Sequence, residues 1–275
     1  MKRVAILMTV HDRREKTLRC LDGIFGASLP EGASLDVYMT DDGCTDGTPG
    51  AVASRYPSVK ILKGDGNLYW NHGMRMAWEA ALVVGYDFYL WMNDDVIPYP
   101  EFLEVLLRDA EVTGGRAILA GATVDEKTGG LTYGGRLLYG LQAPCTGELT
   151  EVEYFNGNIV LVPAAVCEAV GNLDPHFSHS KGDFDYGLRA RKAGFKNYQC
   201  GQPLGTCPLN PGLPSWCNPA IPLPKRWKAM LRPTGMPPRE TFYFDKVHYS
   251  FGSAVFHWFT VQIRCLFPSL WIKRR

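Results

Sequence analysis

Cysteines in C-x-x-C pairs, long apolar runs and a large net charge are all missing from this chain. Its eight cysteines include no C-x-x-C pair and keep no regular spacing. That pattern points to free thiols in a reducing cytoplasm and away from a disulfide scaffold or a zinc site. No stretch reaches the roughly 18 to 20 uninterrupted apolar residues of a spanning helix. The nearest candidate, Phe251–Leu266, is interrupted by His257, Gln262 and Arg264. The apolar run 4–10 is too short for the core and cleavage site of a secretory signal, and it ends in His11-Asp12-Arg13-Arg14. A first buried strand explains it better. A formal charge of +1 over 275 residues gives no global reason to expect nucleic acid as a partner. Repeats and low-complexity tracts are absent too, so the 46% hydrophobic composition is available for one ample core.

What is present is alternation. Residues 4–10, 35–40, 59–62 and 88–92 read as strands, and the helical apolar spacings fall between them at 14–25, 51–55 and 71–84. This order predicts an α/β chain with a doubly wound, mostly parallel central sheet and helices on both faces. A helix is expected near 100–113, short strands and hairpins at 117–140, a strand at 153–162 and a helix at 163–170. Residues 201–238 are dense in proline and glycine and read as irregular, and the chain from 239 onward reads as helical. Charge is unevenly spread. Residues 224–275 hold ten Lys/Arg against two acids, a local +8 that leaves −7 for the rest of a +1 chain.

Candidate chemistry sits where strands end. The run Phe88-Tyr89-Leu90-Trp91-Met92 leads straight into Asn93-Asp94-Asp95. Adjacent carboxylates at the carboxyl end of a buried strand are tolerable when a divalent cation or a basic partner neutralises them. Mg²⁺ or Mn²⁺ between Asp95 and a substrate's phosphates is the economical reading, with a solvated turn as the plain alternative. Asp41-Asp42-Gly43 ends another strand, where a carboxylate can accept from a ribose or a base edge. Asp46 and Thr48 nearby read as turn and cap residues. The loop Lys63-Gly64-Asp65-Gly66-Asn67 would let backbone amides approach phosphate or sugar, with Tyr69 and Trp70 as flat walls. Around Asn156-Gly157-Asn158 and 178–189, His179, Lys181 and Asp185 supply hydrogen-bonding and charge partners for sugars. Asp183 there is a helix cap or a proton-accepting carboxylate, and Asp185 and Arg189 can pair at helical spacing.

Taken in order, these segments resemble the family 2 inverting glycosyltransferases, whose catalytic domain has the GT-A fold. The resemblance rests on 8–13, on Asp41-Asp42-Gly43-Cys44-Thr45-Asp46-Gly47-Thr48, on Asn93-Asp94-Asp95 and on 182–189, within roughly 4–209. It implies a catalytic domain over 1–222, with a nucleotide-binding half at about 1–115 and an acceptor-binding half at about 116–222. A basic, aromatic extension follows at 223–275. It implies that Thr9, His11 and Asp41 border the nucleoside, and that Asp12, Asp42, Gly64, Gly66, Asn67, Trp70 and Asp94 belong to the same donor site. Asp95 would be the principal ligand of Mg²⁺ or Mn²⁺, and Asp183 the base. Asn156, Asn158, His179, Lys181 and Asp185 would meet the acceptor. The implied partners are a nucleoside-diphosphate sugar and a glycan or lipid-linked glycan in bacterial surface-polysaccharide assembly. Three places depart from the family pattern: Asn93 and Gly182 stand where acids are usual, and Gly205-Thr206-Cys207-Pro208 occupies roughly the usual place of a metal-binding histidine.

The extension mixes Lys225-Arg226-Trp227-Lys228, an aromatic run at 251–271 and Lys273-Arg274-Arg275. It is expected to touch the inner face of the cell membrane, which places a cytoplasmic protein peripherally on it. The alternative use is packing on the catalytic domain or on a second copy, giving a homodimer. Two other functions stay open at this point: a nucleotide-sugar-binding protein without catalysis, and a sugar-phosphate nucleotidyltransferase. The second needs a glycine-rich basic loop where this chain has Thr9-Val10-His11-Asp12-Arg13.

Overall fold

The computed structural model describes residues 2–209 and 212–272, the side chains of 271 and 272 excepted. The expected Lys273-Arg274-Arg275 contact lies outside the described residues. In chain order the elements are β1 (Lys2–Val10), α1 (Arg14–Phe25), β2 (Ala33–Asp41), α2 (Thr48–Arg55), β3 (Lys60–Lys63) and α3 (Tyr69–Val84). They continue with β4 (Phe88–Met92), β5 (Ile97–Pro98), α4 (Phe102–Val112), β6 (Ala117–Val124), β7 (Gly135–Arg136), β8 (Thr150–Val152) and β9 (Tyr154–Phe155). After β10 (Ile159–Pro163) come α5 (Ala164–Val170), α6 (Gly182–Lys192) and β11 (Lys196–Thr206), then α7 (Leu223–Leu231), α8 (Pro238–His248), α9 (Phe251–Leu266) and α10 (Ser269–Ile272).

The main sheet runs β3-β2-β1-β4-β10-β6-β11-β5, with β8 also on β11. Strands β1 to β4 are mutually parallel where they pair, and β6 and β11 are parallel; β10, β5 and β8 run antiparallel to their neighbours. The continuous apolar run of β1 follows from its place between β2 and β4, covered on both faces. Alternate residues serve two cores. Val4, Ile6, Met8 and Val10 join Leu21 and Ile24 of α1 and Phe102 of α4. Ala5 and Leu7 join Met74, Ala77 and Trp78 of α3 and Tyr186 of α6.

Two expectations need correction. The strand expected at 153–162 is broken: β9 pairs with β7, Asn156-Gly157-Asn158 steps aside, and β10 then enters the main sheet. The break accommodates the Trp70 ring, since a Cβ on residue 157 would lie 2.6 Å from it. The region expected to be irregular, 201–238, holds the end of β11 and all of α7. Pro203 and Gly205 sit at register shifts of β11 against β6, which a strand with partners on both sides absorbs.

The strand order reverses between β1 and β4, because β2 and β3 lie to one side and β10 to the other. At such a switch point the loops leaving the strands' carboxyl ends diverge and open a crevice. Here they are 11–13 and 93–95.

Candidate active site

A cleft of about 1040 Å³ opens at that switch point, at the upper end of ordinary ligand-site volumes. Twelve of the residues singled out in the sequence line it: Thr9, His11, Asp42, Gly66, Trp70, Asp94, Asp95, Asn156, Asn158, His179, Lys181 and Asp183. Asp12, Asp41, Gly64, Asn67 and Asp185 do not, and each has other work.

On the donor side, Asp12 is held at φ +48 and accepts from the Thr45 and Asp46 amides, tying the turn after β1 to the turn after β2. Asp41 Oδ1 accepts from the Cys44 amide (2.8 Å). Gly64 donates to the Asp41 carbonyl, and Asn67 closes a small turn on Asp65. The more consequential carboxylate is its neighbour. Asp42 Oδ1 accepts from the amides of Gly66 (2.9 Å) and Leu68 (3.1 Å), and Oδ2 from that of Tyr69 (2.9 Å). One buried acid thereby holds two amides at the start of α3, Leu68 and Tyr69, and shapes the glycine loop through Gly66. His11 Nδ1 donates to the Asp42 carbonyl (2.6 Å), leaving the rest of the ring toward the cleft.

The two acids after β4 differ. Asp94 is buried, accepts from Thr17 Oγ1 (3.3 Å) and Arg13 Nη1 (3.1 Å), and is pushed up to about 6 by burial, which the nearby Arg13 charge only partly offsets. Asp95 is more open, its side chain 19% exposed against 7% for Asp94. Its Oδ2 meets the same Arg13 nitrogen (3.2 Å), and its Oδ1 accepts from Cys207 Sγ (3.7 Å). Asn93 faces away from this task, because its Oδ1 accepts from Trp70 Nε1 (2.7 Å). Arg13 is the basic partner that adjacent carboxylates require, and the local strand–acid pattern did not single it out. Of the two, Asp95 is the carboxylate that could hold a divalent cation, a hard oxygen donor lining the cleft, in exchange for its contacts with Arg13 and Cys207. Asp94 is already committed to Thr17 and Arg13.

A different group, Asp12, Cys44 and Asp46, brings ligand atoms within 4.8 Å of one another. Hydrogen bonds explain it. Asp46 accepts from the amides of Arg14 and Thr48, while burial and Asp41 push the Cys44 thiol up to about 12, against thiolate formation.

Across the cleft, Asp183 sits in the first turn of α6. Its Oδ2 accepts from the Gly157 amide and its Oδ1 from the Phe184 amide, both at 2.9 Å. Burial nevertheless pushes its carboxyl up to about 6, the backbone hydrogen bonds and Arg136 pulling the other way. A carboxylate of that kind is ionised at neutral pH and more basic than an ordinary aspartate. Arg136 is held by a fork onto Asn156 Oδ1 (3.0 and 2.8 Å). Asn158 Nδ2 donates to Cys207 Sγ (3.7 Å). His179, beside Tyr69, is disfavoured in its charged form by burial and then by Arg13. Lys181, at φ +70, lies over the Phe244 ring, and burial lowers its pKa despite Asp245 and Glu240.

Asp185 is the clearest departure from the expected acceptor set. It is fully buried, with Oδ2 accepting from Arg189 Nε (2.7 Å) and Oδ1 from His248 Nε2 (2.8 Å). The pairing with Arg189 follows from helical spacing; the one with His248, far along the chain, does not. It locks α8 onto α6, and Ser178 Oγ adds a hydrogen bond to Glu240. The extension therefore packs on the catalytic domain, one of the uses the sequence left open, and forms a wall of the cleft, contributing Thr241, Phe244, Asp245, His257, Thr260 and Arg264. His257 Nδ1 is oriented by Asp245 Oδ2 (2.8 Å). No local motif marks these residues, since only the packed fold brings them to the site.

Residues 5–163 match the family described as Glycosyl transferase family 2. Two curated relatives, from Mycobacterium tuberculosis strains CDC 1551 / Oshkosh and ATCC 25618 / H37Rv, are described as N-acetylglucosaminyl-diphospho-decaprenol L-rhamnosyltransferase. Each is 26% identical over 199 residues, which cover 61% of this chain and 64% of the relative, so the match spans less than two thirds of their length. Among solved structures, Staphylococcus aureus TarS 1-349 superposes with a TM-score of 0.57 at 13% identity, covering 94% of this chain and 72% of that one. TarS 1-349 in complex with UDP-GlcNAc superposes with a TM-score of 0.58 at 14% identity, covering 94% and 73%. At such identities the likeness shows the fold alone, which is GT-A.

Proposed function

The chain belongs to glycosyl transferase family 2 and is a glycosyltransferase; from that premise we propose that it moves a sugar, with inversion, from a nucleoside-diphosphate sugar to a hydroxyl of a lipid-linked glycan. The observation that carries this reading is that Asp95 and Asp183 line one continuous cleft, which opens at the strand-order reversal. A single sugar nucleotide between them would put its diphosphate near Arg13 and Asp95 and its anomeric carbon toward Asp183.

In the proposed step Asp183 takes the proton of the acceptor hydroxyl. The oxygen attacks the anomeric carbon from the face opposite the nucleotide, the bond from that carbon to the diphosphate oxygen breaks, and a nucleoside diphosphate leaves. Arg13, and Mg²⁺ or Mn²⁺ when held by Asp95, supply positive charge where the leaving group gains negative charge. Thr9, His11 and Trp70 would border the donor, and Asn156, Asn158, His179 and Lys181 the acceptor. The acceptor class follows the relatives' printed activity on a decaprenol-linked sugar. An acceptor of that class supports a role in polysaccharide assembly.

The two positions where acids are usual in the family, Asn93 and Gly182, have structural explanations. A side chain on residue 182 would collide with Asn71, and Asn93 holds Trp70 in place. The test is a panel of nucleotide sugars screened by thermal shift, with and without Mn²⁺, followed by transfer assays of Asp183→Asn. The expected result is stabilisation by one donor, retained in Asp183→Asn, and a transfer rate lower by about two to four orders of magnitude. Full activity in Asp183→Asn would sink the reading.

A further inference from the structure

Helix α9 has two unlike faces. His257, Thr260, Val261 and Arg264 line the cleft. Phe256, Phe259, Ile263 and Leu266 point the other way and are exposed, the two phenylalanines by 63% and 55%. Their spacing of three and four residues makes a single outward stripe, and exposed Phe267 and Leu270 extend it beyond the helix. Beside it lies α7, clamped to the end of α9 by Arg226, whose guanidinium donates to the carbonyls of Cys265 (2.8 Å) and Leu266 (3.2 Å). The outward residues of α7 and the turn after it alternate apolar and basic: Leu223, Lys225, Trp227, Lys228, Leu231 and Arg232 are all exposed.

Charge identifies the occupant. No Asp or Glu occurs in residues 221–239 or 246–275. A second copy docked about a two-fold axis would set these uncompensated cations against themselves, with no acid in either segment to answer them. An anionic lipid surface complements both features, taking aromatic side chains into its interface and cations among its headgroups. Among the described residues no helix is long and apolar enough to cross a membrane, so the contact is one of lying on the surface. We propose that α7 and α9 form a docking surface for an anionic bilayer and hold the cleft-lining face of α9 next to it. The use of this contact, presenting a lipid-linked acceptor to the cleft, rests on the function proposed above; the contact itself does not.

Vesicle flotation with the full chain tests it without any sugar transfer, so its failure and that of the transferase reading are told apart. Vesicles of phosphatidylglycerol mixed with phosphatidylcholine are compared with phosphatidylcholine alone. The chain is expected to float with the anionic vesicles, to favour them over the neutral ones, and to dissociate as salt is raised. Phe256→Ser combined with Phe259→Ser is expected to lower the bound fraction by about tenfold, and Lys225→Glu combined with Lys228→Glu to abolish the anionic preference. All four positions are exposed, and each variant is checked for an unchanged unfolding midpoint. Absence of binding to anionic vesicles, or binding equal in the native chain and both variants, would overturn the proposal. So would light scattering that showed a dimer dissociated by Phe256→Ser with Phe259→Ser and no vesicle binding.

Discussion

Asp183 carries the most direct prediction at the scale of single residues. A base acts only when deprotonated, and burial raises this carboxyl to about 6. The proposed transfer is therefore expected to be insensitive to pH above about 7 and to fall tenfold per unit below about 6 in kcat/KM. Asp94 titrates in the same range, so the assignment needs a control. Asp94→Asn should keep the acid limb of the profile, and a limb that vanished in that variant would move the base away from Asp183. Gly182 is a second residue-level case. Its missing Cβ makes room for the side chain of Asn71, whose Nδ2 donates to the carbonyls of Asp174 (2.9 Å) and Phe177 (2.7 Å). Gly182→Ala is expected to cost about 1–3 kcal/mol through overpacking, read from urea denaturation. A loss within error of zero would show that Asn71 moves freely.

Between elements, the decisive contact is the lock of α6 to α8. A fully buried carboxylate shared by Arg189 and His248 leaves both partners uncompensated when it is removed. Asp185→Asn is expected to destabilise the protein by about 3 kcal/mol, measured by chemical denaturation, and to loosen the cleft wall built by α8 and α9. Had Asp185 met the acceptor instead, the same substitution would raise KM and leave stability unchanged. The donor loops show the same division of labour. Asp12 and Asp42 look like ligand groups in the sequence, yet their oxygens are spent on the amides of 45–46 and of 66, 68 and 69. They position Arg13, Tyr69 and Trp70 by holding the turns that carry them.

For the whole molecule, the cleft is shared between the sheet's switch point and the last helices, so the parts stand or fall together. The residues Trp216, Cys217, Met230 and Cys265 form a small core that joins the end of the sheet domain to α7 and α9. A chain ending at residue 222 strips this core and uncovers Asp185. It is expected to lose the cooperative thermal transition, checked by calorimetry and near-ultraviolet circular dichroism. A sharp transition in that truncated chain would show the extension to be dispensable to the fold. Donor binding provides the complementary measurement. A nucleotide sugar at a hundred times its Kd is expected to add about 2.7 kcal/mol of stability to the full chain by mass action.

Local sequence was sufficient wherever a short-range rule governs the outcome. Apolar runs with period two or 3.6 marked β1, α1, β4 and the parallel half of the sheet, because burial on one or both faces dictates those periods. Acids following apolar runs marked Asp94, Asp95 and the turn at Asp41 and Asp42, because strand ends in such sheets are where polar chemistry can sit. Spacing also predicted the Asp185–Arg189 pair. What folding alone decided was which carboxylates border the cleft and what each of them already holds. Asp185 is consumed by Arg189 and His248 away from the cleft, and Asp42 spends three contacts on amides at its edge, while Asp95 and Asp183 line it with two contacts each. The inclusion of α8 and α9 in the cleft belongs to the same class. A hydrogen bond between residues 185 and 248 satisfies a buried charge, and no periodicity over a few residues encodes a partner so far along the chain.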